Sequence, residues 1–276
     1  MIDLHAHTTA SDGEHSADAL FDIAKKAGVT MLAVTDHDTV DGLGAAQAAS
    51  DRTGVTLIPG IEVSIRFNNR EVHILGHFID PTEPKLAAFS KHLRGERYQR
   101  MLEMVAAMQK LGYPVTMEEV LSLAGDAHLA RPHLARALVE HGWCSSTKDA
   151  FDRFLADGKP AAVGRFEVTI DEAVSLIRNA GGTATLAHPG VSKVNELELK
   201  QMTDAGLSGI EIDHSDHPPS QREKYREWAG KLGLVGTAGT DFHGLQVAPN
   251  RIFGKVSMTA VDLEALKARR QAGATR

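Results

Sequence analysis

The chain has 276 residues, 42% of them hydrophobic and 24% charged, with 30 basic against 36 acidic side chains and a net charge of −6. This apolar fraction excludes a disordered chain, and the length suffices for one large domain or a barrel carrying an insertion. The single cysteine, Cys144, excludes an intramolecular disulfide framework and a thiolate zinc site, and the acidic balance argues against nonspecific binding of duplex DNA.

Residues 1–4 read as a short strand, 17–27 as an amphipathic helix closed by Gly28, and 30–34 as a second, buried strand. A helix of small residues at 42–50 and a third strand beginning at 55–58 continue a rhythm that indicates parallel βαβ units. Residues 62–67, then Asn68-Asn69, then 70–79 read instead as a hairpin, because asparagine tolerates the turn conformation. Pro84 stands as a first-turn proline opening a long helix with apolar Leu86, Phe89, Leu93, Leu102, Val105 and Leu111, closed by Gly112. Thr116-Met-Glu-Glu119 has the spacing of a capping box, and Pro132 opens a further helix through Val139. The βα rhythm resumes with helices at 170–179, 195–205 and 220–232 and strands at 183–187, 209–212 and 234–237. The tail 268–276 is expected to fray.

These elements predict an α/β protein: a closed or nearly closed barrel made of residues 1–80 and 166–276, interrupted by a helical insertion at 81–165. A doubly wound open sheet is the competing architecture, weakened because no glycine-rich dinucleotide fingerprint follows the first strand. Residues 1–5 show neither the basic nor the apolar region of a signal peptide, and no apolar run approaches the roughly 20 residues that span a bilayer. A cytoplasmic protein with no membrane partner is therefore expected.

Fourteen histidines beside one cysteine suggest a metal site built from nitrogen and oxygen. His5 and His7 follow the first strand and, two apart on an extended segment, face the same side. Asp12 lies in the next loop, Asp36-His37-Asp38 follows strand two, Glu62 sits on strand three and His73 on strand four. His188 follows strand five, and Asp241-Phe-His243 follows strand seven. A lone histidine is more often a core or surface residue, but in an α/β barrel the groups at the C-terminal ends of different strands converge at one mouth. Imidazoles and carboxylates bind manganese, zinc or iron, and a bridging carboxylate holds two ions about 3.5–4 Å apart, which lowers the pKa of bound water and clamps an in-line phosphoryl displacement.

The segments His5-Ala-His7, Thr35-Asp-His-Asp38, Gly60-Ile-Glu-Val63, Leu186-Ala-His-Pro189 and Gly239-Thr-Asp-Phe-His243, in this order, resemble the polymerase and histidinol phosphatase (PHP) family. The resemblance implies a distorted (βα)7 barrel related to amidohydrolases, holding two or three divalent ions, manganese favoured and zinc or iron as alternatives. It assigns one ion to His5, His7, Glu62 and Asp241, a second to Glu62, His73 and His188, and a third to Asp12, His37 and His243. By the same resemblance Asp241 is the catalytic residue that orients the attacking hydroxide or takes its proton. Some relatives carry histidine where this chain has Asp12.

Within the insertion, Arg94, Arg97 and Arg100 recur every third residue, and Ala130-Arg-Pro-His133 precedes a helix. These resemble the inserted domain of bacterial 3′,5′-nucleoside bisphosphate phosphatases, in which the insertion holds the 5′-phosphate while the barrel hydrolyses the 3′-phosphate. Arginine matches phosphate bidentately, and Arg131 and His133 flank a helix start where free N–H groups favour an anion. Arg97, Arg100, Arg131, His133 and Arg165 are the expected substrate residues, although arginines on a long helix are as often a solvated face. His214 and His217 are expected to line the pocket without ligand spacing, and His15, His77, His92, His128, His141 and Cys144 carry no assigned role.

The expected partner is a small phosphorylated nucleotide such as 3′-phosphoadenosine 5′-phosphate, released as nucleoside 5′-monophosphate and phosphate, with no duplex DNA. A 5′-to-3′ exonuclease on short 5′-phosphorylated RNA is the first alternative, disfavoured by only 5% aromatics to stack bases. Histidinol phosphate phosphatase follows, because that substrate has no need of a second anion site. A non-catalytic PHP module comes last, because every ligand position is filled.

Overall fold

The computed structural model describes residues 1–125, 129–164 and 167–270, so the expectations for His128, Arg165 and the end of the tail lie outside the described residues. Among the described residues, short apolar runs form β1 (Ile2–Asp3), β2 (Met31–Val34), β3 (Thr56–Phe67), β4 (Arg70–His77), β5 (Thr183–Leu186), β6 (Gly209–His214) and β7 (Val235–Gly239). They lie side by side in sequence order. β1, β2 and the first part of β3 are parallel, as are β5, β6 and β7. The Leu4 N–H donates to Ala238 O at 3.1 Å, and Ala6 bridges Phe242 in parallel, so the sheet nearly closes into a barrel.

The distortion sits at β4, which is antiparallel to both β3 and β5. Asn68 and Asn69, at φ 47° and 60°, make a tight turn in the left-handed region, and a two-residue connection can only reverse the chain. The third strand, expected to begin at 55–58 and to carry Glu62, runs twelve residues as β3, paired with β2 early and with β4 late. Gly60 lets it pass between its neighbours. A Cβ there would come within 2.7 Å of Thr35 Cγ2, 2.8 Å of Gly76 O and 3.0 Å of Val34 O.

The helices are α1 (Ala17–Lys26), α2 (Leu43–Thr53), α3 (Pro84–Lys110), α4 (Met117–Ala124), α5 (Arg131–Glu140), α6 (Thr147–Ala150), α7 (Ile170–Asn179), α8 (Pro189–Ser192), α9 (Glu196–Asp204), α10 (Pro219–Leu232) and α11 (Ala260–Lys267), with a π-helical turn at Phe151–Leu155. Side chains cap the starts of several: Ser16 caps α1, and reciprocal Thr/Asn–Glu boxes open α4, α7 and α9. α1 buries Leu20 and Phe21 completely, each worth about 1.5–3 kcal/mol on the transfer scale. Among the described residues no helix is long and apolar enough to cross a membrane.

Two compact units result: Met1–Ser90 with Glu167–Arg276, and Lys91–Phe166. The insertion is expected at 81–165; the second unit's first boundary falls inside α3. In the first unit, Leu4, Ala33, Ile58, Val235 and Ala238 from the strands pack on Met258, Leu263 and Leu266. The second unit has its own core, in which Met104 and Met108 of α3 meet Val120, Leu134, Leu138 and Leu155, with Cys144 buried among them.

Candidate metal centre and family

Because β1 is only two residues long, the chain beyond it stays extended through the Ala6–Phe242 bridge, which turns His5 and His7 to one side. Glu62 lies mid-β3, where His37 bridges it from the end of β2. His73 reaches the same level because β4 runs backwards. Ile74 pairs with Leu186, the last residue of β5, so the early part of β4 lies beside the C-terminal end of β5, and the Ala187 N–H donates to His73 O at 3.0 Å. His188 and Asp241 stand just beyond β5 and β7 at φ 23° and 55°. Positive φ at a non-glycine residue costs of order 1–3 kcal/mol and persists only where its surroundings hold it.

At this mouth His5 Nε2 lies 3.3 Å from both Glu62 Oε2 and Asp241 Oδ1, and His7 Nε2 lies 3.2 Å from the same two oxygens. All four atoms are buried without a hydrogen-bond partner. Two donors about 2.0–2.2 Å from one ion, at tetrahedral to octahedral angles, stand roughly 3–3.5 Å apart, so these residues fit a divalent cation. The other Glu62 oxygen, Oε1, lies 3.0 Å from both His73 Nδ1 and His188 Nε2. Glu62 thus presents one oxygen to each of two donor groups, as a bridging carboxylate must. In the third group Asp12 Oδ1 lies 3.3 Å from His243 Nε2, and Asp12 Oδ2 lies 3.7 Å from His37 Nε2. His37 stands between groups, because its Nδ1 lies 3.2 Å from Glu62 Oε2. The donors that gather within ligand reach are His5, His7, Glu62 and Asp241; His37, Glu62 and His73; and His7, Asp12, His37 and His243.

The electrostatics match a cluster built around cations. Glu62 and Asp241 are fully buried, and although burial alone raises a carboxyl, the surrounding histidines hold both well below the usual carboxylate range. Burial alone lowers an imidazole, yet the Asp241 and Glu62 carboxylates raise His7 to about 10. Burial dominates at His37, which falls to about 4.

A ring of further side chains orients the donors. His5 Nδ1 donates to Glu211 Oε1 at 3.0 Å, and the His188 N–H donates to Glu211 Oε2 at 2.8 Å. His243 Nδ1 donates to Asp241 O at 2.9 Å, which turns Nε2 toward Asp12. Asp3 accepts from Thr240 N–H and Oγ1 and from the His5 N–H, while Asp36 accepts from Thr8 and Ser11. Gly239 is required here, since a Cβ would meet His5 Cβ at 2.3 Å. Glu211, Asp3 and Arg251 were not singled out from sequence. Glu211 carries a signal, an acidic residue inside the buried run of β6, whereas Arg251, which contacts Asp241 Oδ2, carries none. His214, expected only to line the pocket, is buried with Nε2 3.3 Å from Asp241 Oδ2. His77 is a core histidine whose Nε2 donates to Leu4 O at 2.9 Å, while its Nδ1 is buried without a partner.

Of the expected substrate residues, Arg97, Arg100, Arg131 and His133 belong to the second unit, and Arg165 lies outside the described residues. Arg100 Nε donates to Val163 O at 3.0 Å, Arg131 pairs with Asp157 at 2.9 Å, and His133 Nδ1 accepts the Ala130 N–H at 3.1 Å. Arg94 is exposed and Arg97 half-buried on α3.

Residues 3–159 match the PHP domain family. The chain belongs to the PHP family. It is 34% identical to a 3′,5′-nucleoside bisphosphate phosphatase of Chromobacterium violaceum over 247 residues, 88% of this chain and 87% of that protein. It is 36% identical to a 5′-3′ exoribonuclease of Haemophilus influenzae over 245 residues, 87% of this chain and 89% of that one. A structure solved as a candidate metal-dependent phosphoesterase of Bifidobacterium adolescentis superposes with a TM-score of 0.86 at 28% identity, covering 98% of this chain and 96% of the other. This PHP protein is a metal-dependent hydrolase of phosphate esters with a nearly closed seven-strand barrel.

Proposed function

We propose that this PHP hydrolase removes the 3′-phosphate of nucleoside 3′,5′-bisphosphates, such as 3′-phosphoadenosine 5′-phosphate, giving nucleoside 5′-monophosphate and phosphate. The observation that carries phosphoester hydrolysis is the set of buried, partnerless donor atoms of His5, His7, Glu62 and Asp241. Burying such groups is expensive unless a cation joins them. We assign the ion-holding residues as His5, His7, Glu62 and Asp241; Glu62, His73 and His188; and Asp12, His37 and His243. Two or three divalent ions are proposed, manganese first, with zinc or iron as alternatives. When bound, such ions supply Lewis acidity toward the phosphoryl oxygens and lower the pKa of water.

The chain's own residues do the rest. Asp241, held ionised, orients the attacking water through Oδ1. Arg97, Arg100, Arg131, His133 and Arg165 are proposed to hold the substrate's second phosphate, so that its binding energy positions the first. The similarity to the bisphosphate phosphatase supports this substrate class.

A second reading, 5′-to-3′ cleavage of short 5′-phosphorylated RNA, is favoured by the equally strong similarity to the exoribonuclease. Phosphate and nucleotide release should be measured with Mn²⁺, Zn²⁺ and Fe²⁺ on a nucleoside 3′,5′-bisphosphate, its two monophosphates, histidinol phosphate and a short 5′-phosphorylated RNA. The bisphosphate should give the highest kcat/KM. Equal turnover of bisphosphate and 3′-monophosphate would overturn the second-phosphate site, and faster mononucleotide release from RNA would establish the second reading.

A further inference from the structure

The carboxylate of Asp241 is divided. Oδ1 faces His5 Nε2 and His7 Nε2 and has no hydrogen-bond partner, whereas Oδ2 is held from two sides, by His214 Nε2 at 3.3 Å and by the Arg251 guanidinium through Nη1. Arg251 is itself anchored, with Nη2 and Nε 3.0 and 3.1 Å from Asp216 Oδ2 on the segment after β6. The loop that carries it is pinned at its start as well. The Gln246 N–H donates to Glu14 Oε2 at 3.0 Å, and a Cβ at Gly244 would strike the Glu14 side chain. Arg251 also lines a pocket of about 360 Å³ with Asp12, Asp216 and His243, so it touches Asp241 on one side and shares a pocket with two donors of the third group.

A carboxylate with two unengaged oxygens can swing between one-oxygen and two-oxygen ligation of a hard cation. Hydrogen bonds to one oxygen remove that freedom, as outer partners do for ligands in general. We propose that Arg251, buttressed by Asp216, is a positioning residue that presents Asp241 to the His5–His7–Glu62 donor set through Oδ1 alone. Two effects of Arg251 on a bound cation oppose each other. Its positive charge repels the ion, and its hydrogen bond orients the ligand. If charge dominated, removing the guanidinium would tighten metal binding; if orientation dominates, removal weakens it.

The inference rests on the metal assignment made above for Asp241, so the Asp241→Asn variant is measured alongside. The chelator-stripped full-length protein is titrated calorimetrically with Mn²⁺, and kcat and KM are read at saturating Mn²⁺. Arg251→Gln is expected to weaken Mn²⁺ binding about tenfold or more, the lower end of the effect of outer partners on metal affinity. Arg251→Lys, which keeps the charge and one donor, should recover part of that loss, and Asp216→Asn should shift affinity in the same direction by less. The deficit should appear in metal affinity and kcat, with KM unchanged. Mn²⁺ binding by Arg251→Gln as tight as wild type, or tighter, overturns the proposal. If Arg251→Gln does not fold, as judged by thermal melting of the stripped protein, Asp216→Asn decides, and unchanged or tighter binding there overturns it equally. Wild-type Mn²⁺ binding by Asp241→Asn would instead overturn the donor assignment itself.

Discussion

Glu211 Oε1 accepts a hydrogen bond from His5 Nδ1 at 3.0 Å, and neither side chain reaches solvent. This contact leaves His5 Nε2 as the atom turned toward Glu62 and Asp241. Because the His188 N–H also points at Glu211, two donors converge on one carboxylate. Glutamine would satisfy one and oppose the other with its own NH₂ group. Glu211→Gln is expected to lower metal affinity about 10–100-fold, read by Mn²⁺ titration of stripped protein whose circular dichroism matches wild type. Undiminished affinity would show that Glu211 does not orient the ligand.

Metal binding should release protons. Burial alone lowers the histidines, but Asp241 and Glu62 raise His7, and Glu62 and Glu71 raise His73, each to about 10. With folded values above the ordinary 6.5, these charged rings stabilise the metal-free protein fully below pH 6.5, and that contribution is lost as pH rises through about 10. A cation needs the neutral rings and competes with their protons. Mn²⁺ affinity is therefore expected to rise between about pH 6 and 9, and calorimetry in buffers of different ionisation enthalpy should count released protons. Binding independent of pH would remove these rings from the ligand set.

His77 acts in the opposite direction. Burial lowers it to about 4, and its Nδ1 is buried with no partner, so a second ring proton would have no acceptor. Its folded value lies below the unfolded one, so stability is lost as pH falls from about 6.5 toward 4, by up to about 3 kcal/mol. His77→Gln, which can still donate to Leu4 O, should flatten denaturant-derived stability across that window. An unchanged slope would exclude His77 as its source.

The second-phosphate assignment predicts a selective defect. Arg97→Ala and Arg131→Ala should each lower kcat/KM for a nucleoside 3′,5′-bisphosphate about 10–100-fold, the cost of losing a charged hydrogen bond. Hydrolysis of the 3′-monophosphate should be unaffected. Arg131 also pairs with Asp157, so its melting temperature is followed alongside. Equal losses on both substrates would refute the assignment.

The order of His5, His7, His37, Glu62, His73, His188, Asp241 and His243 along the chain, each at or beyond an apolar run, was readable directly, because strand periodicity and strand ends are local properties. So were the Asn68-Asn69 reversal and the capping box at Thr116, which depend on neighbours two or three residues away. The close passage of β3 at Gly60 was not, because it depends on Thr35 and Gly76 packing against a bare backbone there. Nor was the division of Glu62, whose two oxygens face different histidines, or the placement of His73 beside the end of β5, which follows from the reversed β4. The partners that set ligand orientation were least legible of all. Glu211 meets His5 from the far end of the chain, and Arg251 reaches Asp241 from a loop that Asp216 and Glu14 hold by hydrogen bonds. Residue type and spacing determine which groups can bind a cation; which atom of each group faces it is decided by packing between segments distant in sequence.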